Sequence, residues 1–149
     1  EYTEHTVVEH DKSWIDFFCA SFTLSERTNI LQLEREMVPY KQAKEVRVFK
    51  GFRESLKNKK YNFICIDAPL GSDMKGYSRI DILSILPECL DENFVILFDD
   101  YDRSAEKNTV QDIEEILKGH NIIYQKGRYS GKKDCAVIAS ENLFFLTTL

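Results

Sequence analysis

Continuous apolar runs alternate along the chain with stretches in which apolar residues recur every three or four positions. The runs YNFICID at 61–67 and FVILF at 94–98 predict buried strands. Apolar residues at helical spacing predict helices over 79–90, where Pro87 shortens or kinks the helix, and over 107–118. Shorter elements are predicted as strands at 6–9, 30–33, 46–49, 122–125, 135–139 and 143–146, and as helices at 14–22 and 52–58.

The order of these elements predicts an α/β domain. Strands and helices alternate, which is typical of a mainly parallel sheet covered by helices. The strands at 122–125 and 135–139 are expected to form an antiparallel pair across a loop at 126–133. Glycine and proline mark turns rather than a linker, so residues 1–149 are interpreted as one domain.

Composition narrows the class of protein. The chain has 149 residues, of which 43% are hydrophobic and 30% charged, as in ordinary globular proteins rather than disordered ones. A net charge of -5 argues against nucleic acid as the partner and leaves a small-molecule substrate. No apolar run is long enough to span a membrane. The four cysteines form no C-x-x-C pair, which argues against a zinc site and favours a reducing, cytoplasmic location.

Acidic residues follow the most strand-like runs. Glu9 and Asp11 end the run at 6–9, Asp67 ends the run at 61–67, and Asp99 with Asp100 end the run at 94–98. Because ligands of open α/β sheets bind beyond the carboxyl ends of the strands, these five carboxylates are expected to line one edge. The alternative is that they cap the helices that follow.

Each acid has a predicted role. Glu9 can accept hydrogen bonds from the hydroxyls of a ribose. Asp67, Asp99 and Asp100 can hold one hard cation such as magnesium, which would acidify a substrate hydroxyl. His10 is either a general base or an exposed turn residue.

Two arginines lie near these acids in sequence. Arg79 and Arg103 either neutralise the acidic cluster, clamp an anionic substrate or form ordinary surface ion pairs. Of these, surface pairing is the favoured interpretation. Neither a nucleophile elbow nor a phosphate-binding loop occurs in the sequence.

These segments resemble class I S-adenosylmethionine-dependent methyltransferases. VVEHDKSW is similar to the second-strand motif of that family, RVFKGFRESL with YNFICIDAPLG to its third and fourth strands, and FVILFDDYDR to its fifth. IIYQKGRY and DCAVIAS resemble its terminal antiparallel hairpin. The resemblance implies a three-layer Rossmann-like fold with a mainly parallel sheet. It also implies a cofactor site at Glu9, His10, Phe52 and Asp67.

Within that family the acids resemble those of catechol-type, metal-dependent O-methyltransferases. The resemblance implies metal ligands at Asp67, Asp99 and Asp100, with Asp100 in place of the usual asparagine. Asp67 and Asp99 would then be the catalytic residues. The expected reaction is methylation of an oxygen on a small molecule or sugar.

Two departures keep other functions open. The family's glycine-rich loop would lie before Glu1, so the domain is interpreted as incomplete at its N-terminus. Phe52 stands where the family often has an acid that positions adenine, and it either lines the adenine pocket or belongs to the core. The alternative functions are a non-catalytic binding or assembly module and a sugar-nucleotide or phosphate-processing enzyme. The oligomeric state stays open.

Overall fold

A computed structural model describes residues 4–148, which contain eight strands and three α-helices. Two 3₁₀ helices, Ile80–Ser84 and Glu141–Thr147, complete the regular structure of these residues. In chain order the strands and α-helices are β1 His5–Glu9, α1 Lys12–Ser21, β2 Thr28–Gln32, β3 Arg35–Tyr40, β4 Ala43–Phe49, α2 Phe52–Leu56, β5 Tyr61–Ile66, β6 Leu90–Phe98, α3 Ser104–Gly119, β7 Tyr124–Ser130 and β8 Asp134–Ser140.

The strands form three small sheets, of which the four-stranded one is mixed, so the prediction of a mainly parallel Rossmann-like sheet in three layers is wrong. β1 and β2 are parallel, whereas β3 and β4 form an antiparallel pair of their own. The third sheet has the order β5-β6-β8-β7, and only β5 and β6 are parallel within it. The prediction failed for three reasons. β8 pairs with β6 in the antiparallel direction, and β3 was not predicted at all. In addition, β1 and β5 are not hydrogen-bonded to each other.

The main core lies between the four-stranded sheet and α3. Val110, Ile113 and Leu117 of α3 are fully buried, in agreement with the helical spacing seen in the sequence. They pack in one cluster with Ile96 and Phe98 of β6. Burial of such aliphatic side chains contributes about 1.5–3 kcal/mol each. No helix among residues 4–148 has the length and apolar character of a membrane span.

Helix α1 keeps all its side chains at least partly exposed. Asp11 caps its amino end, since the Asp11 carboxylate accepts a hydrogen bond from the Ser13 amide at 2.8 Å. Trp14 is 64% exposed and Phe17 57% exposed, so the aromatic face of α1 is not part of the core.

Two predicted elements differ from the structure. The helix expected at 79–90 is only a short 3₁₀ helix, and β6 already begins at Leu90. This segment is buried on several sides and therefore has many apolar residues. Some of them recur every three or four positions, as they would in an amphipathic helix. The strand expected at 143–146 lies within the second 3₁₀ helix.

The β3–β4 hairpin is joined to α3 through Asp112. The Tyr40 hydroxyl donates to this carboxylate at 2.8 Å, and the Lys41 ammonium lies 2.6 Å from it. Burial and the neighbouring Asp112 raise the pKa of Tyr40 to about 12. Val46 and Tyr77 form a small apolar cluster under the hairpin.

Candidate functional site

A cavity of about 760 Å³ lies at the carboxyl ends of β1 and β5. We call it the carboxyl-end cavity. Its polar side is formed by charged residues, including Glu9, Asp67 and Arg79, and its apolar side by Trp14 and Phe17 of α1. Glu9 and Asp67, which were expected at one edge of a sheet, line this cavity together, although their strands belong to different sheets.

Arg79 is the central residue of the polar side. Its Nη2 lies 2.7 Å from Asp100 Oδ2 and 3.1 Å from Asp67 Oδ1, and its Nη1 donates to the Asp99 carbonyl at 3.0 Å. The Arg79 side chain is only 2% exposed. One guanidinium thus holds the ends of β5 and β6 together, which excludes the ordinary surface pairing favoured for it from the sequence.

Asp100 is buried and is surrounded by cations. Besides Arg79, Arg103 Nη1 lies 2.8 Å from its Oδ2 and Lys133 Nζ lies 2.8 Å from its Oδ1. Desolvation acts to raise the pKa of Asp100, but the hydrogen bonds from Lys133 and Arg79 outweigh it and lower that pKa. Asp100 is therefore an ionised partner for three basic groups.

These ion pairs bear directly on the predicted magnesium site. Carboxylate oxygens of Asp67, Asp99 and Asp100 lie within 4.8 Å of one another, as three ligands of one cation would. Both oxygens of Asp100, however, already contact basic side chains. A metal held by all three acids would have to displace at least one of those groups, so the arrangement fits an ion-pair network better than a metal centre.

Asp67 differs from Asp100 in its environment. Its side chain is 65% exposed, and its contact with Arg79 is the longer of the two. Partial desolvation raises the pKa of Asp67, Arg79 opposes that effect, and the neighbouring Asp99 carboxylate raises the pKa further. The net increase makes Asp67 a better proton acceptor than an isolated aspartate.

Glu9 is fixed at the end of β1 by its neighbours. Its Oε1 accepts hydrogen bonds from the amides of His10 at 2.6 Å and Asp11 at 2.9 Å, and it lies 2.7 Å from His10 Nδ1. Residues 4–148 form no further hydrogen bond to the Glu9 side chain, so its Oε2 can receive a ligand. His10 holds Glu9 in this arrangement and lines the same cavity.

Phe52 lies apart from His10. It stacks on Phe49, with ring centroids 6.3 Å apart and planes at 16°, and packs against the main core. It lines a second cavity, of about 410 Å³, that runs between β1 and β5 and shares Glu9 and Asp67 with the first. We call this the inter-strand cavity. The packing of Phe52 favours the core interpretation over the adenine pocket.

Lys133 was not identified from the sequence as a site residue and lay at the end of the loop expected at 126–133. Because β8 is antiparallel to β6, with Phe98 paired to Ala136, the start of β8 lies beside the end of β6. This brings Lys133 to Asp100 across 33 positions of the chain. The topology of the strand pair is the signal that would have found it.

Neither a protein-family model, nor a curated protein, nor a solved structure matches this chain. The function must therefore be inferred from the cavity. It combines a free carboxylate oxygen on Glu9, a proton acceptor at Asp67 and exposed aromatic rings on α1.

Proposed function

We propose that the protein binds S-adenosylmethionine in the carboxyl-end cavity and methylates an oxygen of a small molecule or sugar. One observation carries this proposal: carboxylates at the ends of two strands, Glu9 and Asp67, line a single cavity whose other side is aromatic. The cavity, of about 760 Å³, falls within the range of small-molecule sites. The site, rather than the fold, supports this function.

Glu9 and α1 would position the cofactor. The free Oε2 of Glu9 accepts hydrogen bonds from the ribose hydroxyls, because its partner Oε1 is already held by backbone amides. The rings of Trp14 and Phe17, whose centroids are 5.8 Å apart, offer an apolar surface to a planar base. These contacts fix the distance between cofactor and acceptor, which supplies most of the rate of a displacement reaction.

Asp67 would act on the methyl acceptor. When bound, S-adenosylmethionine supplies an electrophilic methyl group whose bond to sulfur breaks as the acceptor oxygen attacks. The acceptor hydroxyl loses its proton to the Asp67 carboxylate, whose pKa is raised. Arg79 holds this carboxylate in place and, by donating to the Asp99 carbonyl, also positions the end of β6. No step requires a metal.

A second function rests on the pairing of Asp100. A buried carboxylate with three basic partners is also what a rigid, non-catalytic binding or assembly module would contain. In that case ligand binding by Glu9, if any, would not lead to methyl transfer. Asp67 distinguishes the two functions, because only an enzyme needs its proton-accepting carboxylate.

Calorimetric titration of S-adenosylmethionine and S-adenosylhomocysteine into the full-length protein tests the proposal. We expect micromolar binding that Glu9→Ala weakens at least about tenfold, as loss of a charge-assisted hydrogen bond requires. Glu92→Ala is the matched control, since Glu92 is exposed on β6 and lines neither cavity. A folded protein that binds neither compound would rule out the methyltransferase. The binding module would be favoured if the parent protein binds these compounds without transferring a methyl group and the Asp67→Asn variant binds them equally well.

A further inference from the structure

The basic residues of the carboxyl-end cavity are not all occupied by its acids. Each acidic residue that lines the cavity accepts at least one hydrogen bond within residues 4–148, namely Glu9, Asp11, Asp67 and Asp100. Arg35 lines the same cavity but forms neither an ion pair nor a side-chain hydrogen bond with any of residues 4–148. The cavity therefore has positive charge that is available to an anionic ligand.

Arg103 uses only one of its three guanidinium nitrogens. Its Nη1 lies 2.8 Å from Asp100 Oδ2 and 3.5 Å from Glu106 Oε1. Within residues 4–148, neither Nη2 nor Nε of Arg103 forms a hydrogen bond. The side chain is 31% exposed and lines the cavity. Free N–H groups of a guanidinium suit the oxygens of a carboxylate or phosphate group.

Lys133 is a second accessible cation beside Arg103. Its Nζ lies 2.8 Å from Asp100 Oδ1 and 3.7 Å from Asp99 Oδ2, and its side chain is 53% exposed. The hydrogen bond with Asp100 raises the pKa of Lys133, so the ammonium stays protonated at neutral pH. An ammonium has three donors, so Lys133 can contact a ligand without leaving Asp100.

Asp100 sets the position of these two cations relative to Asp67. Its two oxygens hold one cation each, and a carboxylate oxygen of Asp67 lies within 4.8 Å of one from Asp100. An anionic group is attracted by Arg103 and Lys133 and repelled by Asp67. A ligand that carries both an anionic group and hydroxyl groups is therefore oriented with its anion at the two cations and a hydroxyl at Asp67.

We propose that Arg103 and Lys133 form an anion subsite of the carboxyl-end cavity, which binds the carboxylate or phosphate group of a sugar. The anion accepts charge-assisted hydrogen bonds from both side chains, and a hydroxyl group of the sugar donates to Asp67. Arg79 is not part of the subsite, because it is only 2% exposed and already contacts both Asp67 and Asp100. In the proposed reaction this sugar is the methyl acceptor. That assignment rests on the proposed function, whereas the subsite does not.

Titration calorimetry of three sugars into the full-length protein tests the subsite. The probes are D-glucose, D-glucuronate and D-glucose phosphorylated at its primary hydroxyl, so the two anionic sugars carry their charge at the same end of the ring. We expect one of them to bind at least about tenfold more tightly than glucose, as a charge-assisted hydrogen bond requires. The more tightly bound of the two identifies the anion as a carboxylate or a phosphate.

Lys133→Met is the test variant, and Lys132→Met is its matched control. Lys132 is the exposed neighbour of Lys133 in the same loop and lines neither cavity. Lys133→Met should weaken binding of the anionic sugar at least about fivefold, because one of its two cationic partners is lost. Binding of glucose should not change in either variant. Asp100 keeps Arg79 and Arg103 as partners, so the site remains assembled in Lys133→Met.

Two outcomes would overturn the subsite. One is equal affinity of the protein for the three sugars, or binding of none of them. The other is an equal loss of affinity in Lys133→Met and Lys132→Met, which would show attraction by the charged surface as a whole. Titration of S-adenosylhomocysteine separates these failures from a failure of the proposed function. Anionic sugars that bind through Lys133 to a protein without affinity for S-adenosylhomocysteine would support the subsite and exclude the methyltransferase.

Discussion

Arg79 and Asp100 form a buried ion pair in which both residues have left-handed backbone conformations. Arg79 Nη2 lies 2.7 Å from Asp100 Oδ2, and the φ angles of the two residues are 55° and 56°. Side chains other than glycine rarely adopt this conformation, which costs about 1–2 kcal/mol per residue. The pair therefore holds two strained turns in contact, and Asp67, which Arg79 also contacts, lines the cavity beside them.

Loss of the Arg79 guanidinium should destabilise the fold strongly. Arg79→Met removes the contacts of the guanidinium with Asp67, Asp99 and Asp100. The negative charge of the buried Asp100 carboxylate then has one basic partner fewer. We expect a decrease in the free energy of unfolding of about 3–5 kcal/mol, measured by urea denaturation. Arg128→Met is the control, because Arg128 pairs with Asp134 on an exposed part of the surface and should lose less than about 1 kcal/mol. Similar losses for both variants would contradict a structural role for the buried pair.

Asp81 should make the stability of the protein decrease as the pH rises. Desolvation raises the pKa of Asp81 to about 7 from the 3.8 of an unperturbed aspartate, although the Phe49 amide opposes the shift. Between pH 4 and 7 the unfolded chain releases this proton while the folded protein keeps it. The free energy of unfolding therefore falls across this window, by on the order of 4 kcal/mol, and the effect of Asp81 is constant above it.

Asp81→Asn isolates that effect. The asparagine carbonyl can still accept the hydrogen bond from Phe49, which the Asp81 carboxylate accepts at 2.6 Å, but it cannot titrate. The difference between variant and parent, from urea denaturation at several pH values, should change mainly between pH 4 and 7. A difference that does not vary with pH would show that Asp81 titrates as in the unfolded chain.

Two glycines should respond oppositely to alanine. A Cβ on Gly127 would overlap the backbone carbonyl of Thr147, whereas a Cβ on Gly119 would meet nothing within 4 Å. Gly127→Ala should lower the free energy of unfolding by about 1–3 kcal/mol, because β7 would be pushed away from the second 3₁₀ helix. Gly119→Ala, at the end of α3, should raise it by up to about 1 kcal/mol. Thermal denaturation of both variants distinguishes these signs, and a stable Gly127→Ala protein would disprove the close approach.

Magnesium should leave the binding of S-adenosylmethionine unchanged. Both oxygens of Asp100 are held by basic side chains, so chelation of divalent cations removes no partner of the acids. Titrations with excess magnesium and with a chelator should give affinities equal within about twofold. A magnesium-dependent rise in the melting temperature that Asp99→Asn abolishes would instead restore the three acids as metal ligands.

Local patterns predicted the buried parts of the fold but not how they are joined. β5, β6 and α3 could be predicted from the sequence. Continuous apolar residues indicate a buried strand, and apolar residues at helical spacing indicate a helix with one buried face. β3 was missed, since it contains Pro39 and charged residues and is stabilised mainly by its pairing with β4. Sheet order depends on long-range hydrogen bonds, which no local pattern encodes.

The candidate site was predictable to a similar extent. Acids at strand ends are visible in the sequence, and the structure brings Glu9 and Asp67 to one cavity. The burial of Arg79 was not predictable, because an arginine after a polar loop is usually exposed. Lys133 reaches Asp100 only through the antiparallel return of β8.

The attachment of the β3–β4 hairpin to α3 through the carboxylates of Asp112 and Glu115 implies that the tip of the hairpin is less stable than the four-stranded sheet. The side chains of Tyr40 and Lys41 both contact the Asp112 carboxylate, whereas the hairpin itself forms a separate two-stranded sheet. Opening that contact frees the tip of the hairpin, while Val46 stays packed against Tyr77 and Ile80 and the hydrogen bonds of the four-stranded sheet stay intact. Proteolysis under native conditions therefore begins at the tip of this hairpin, at a rate set by local opening rather than by global unfolding.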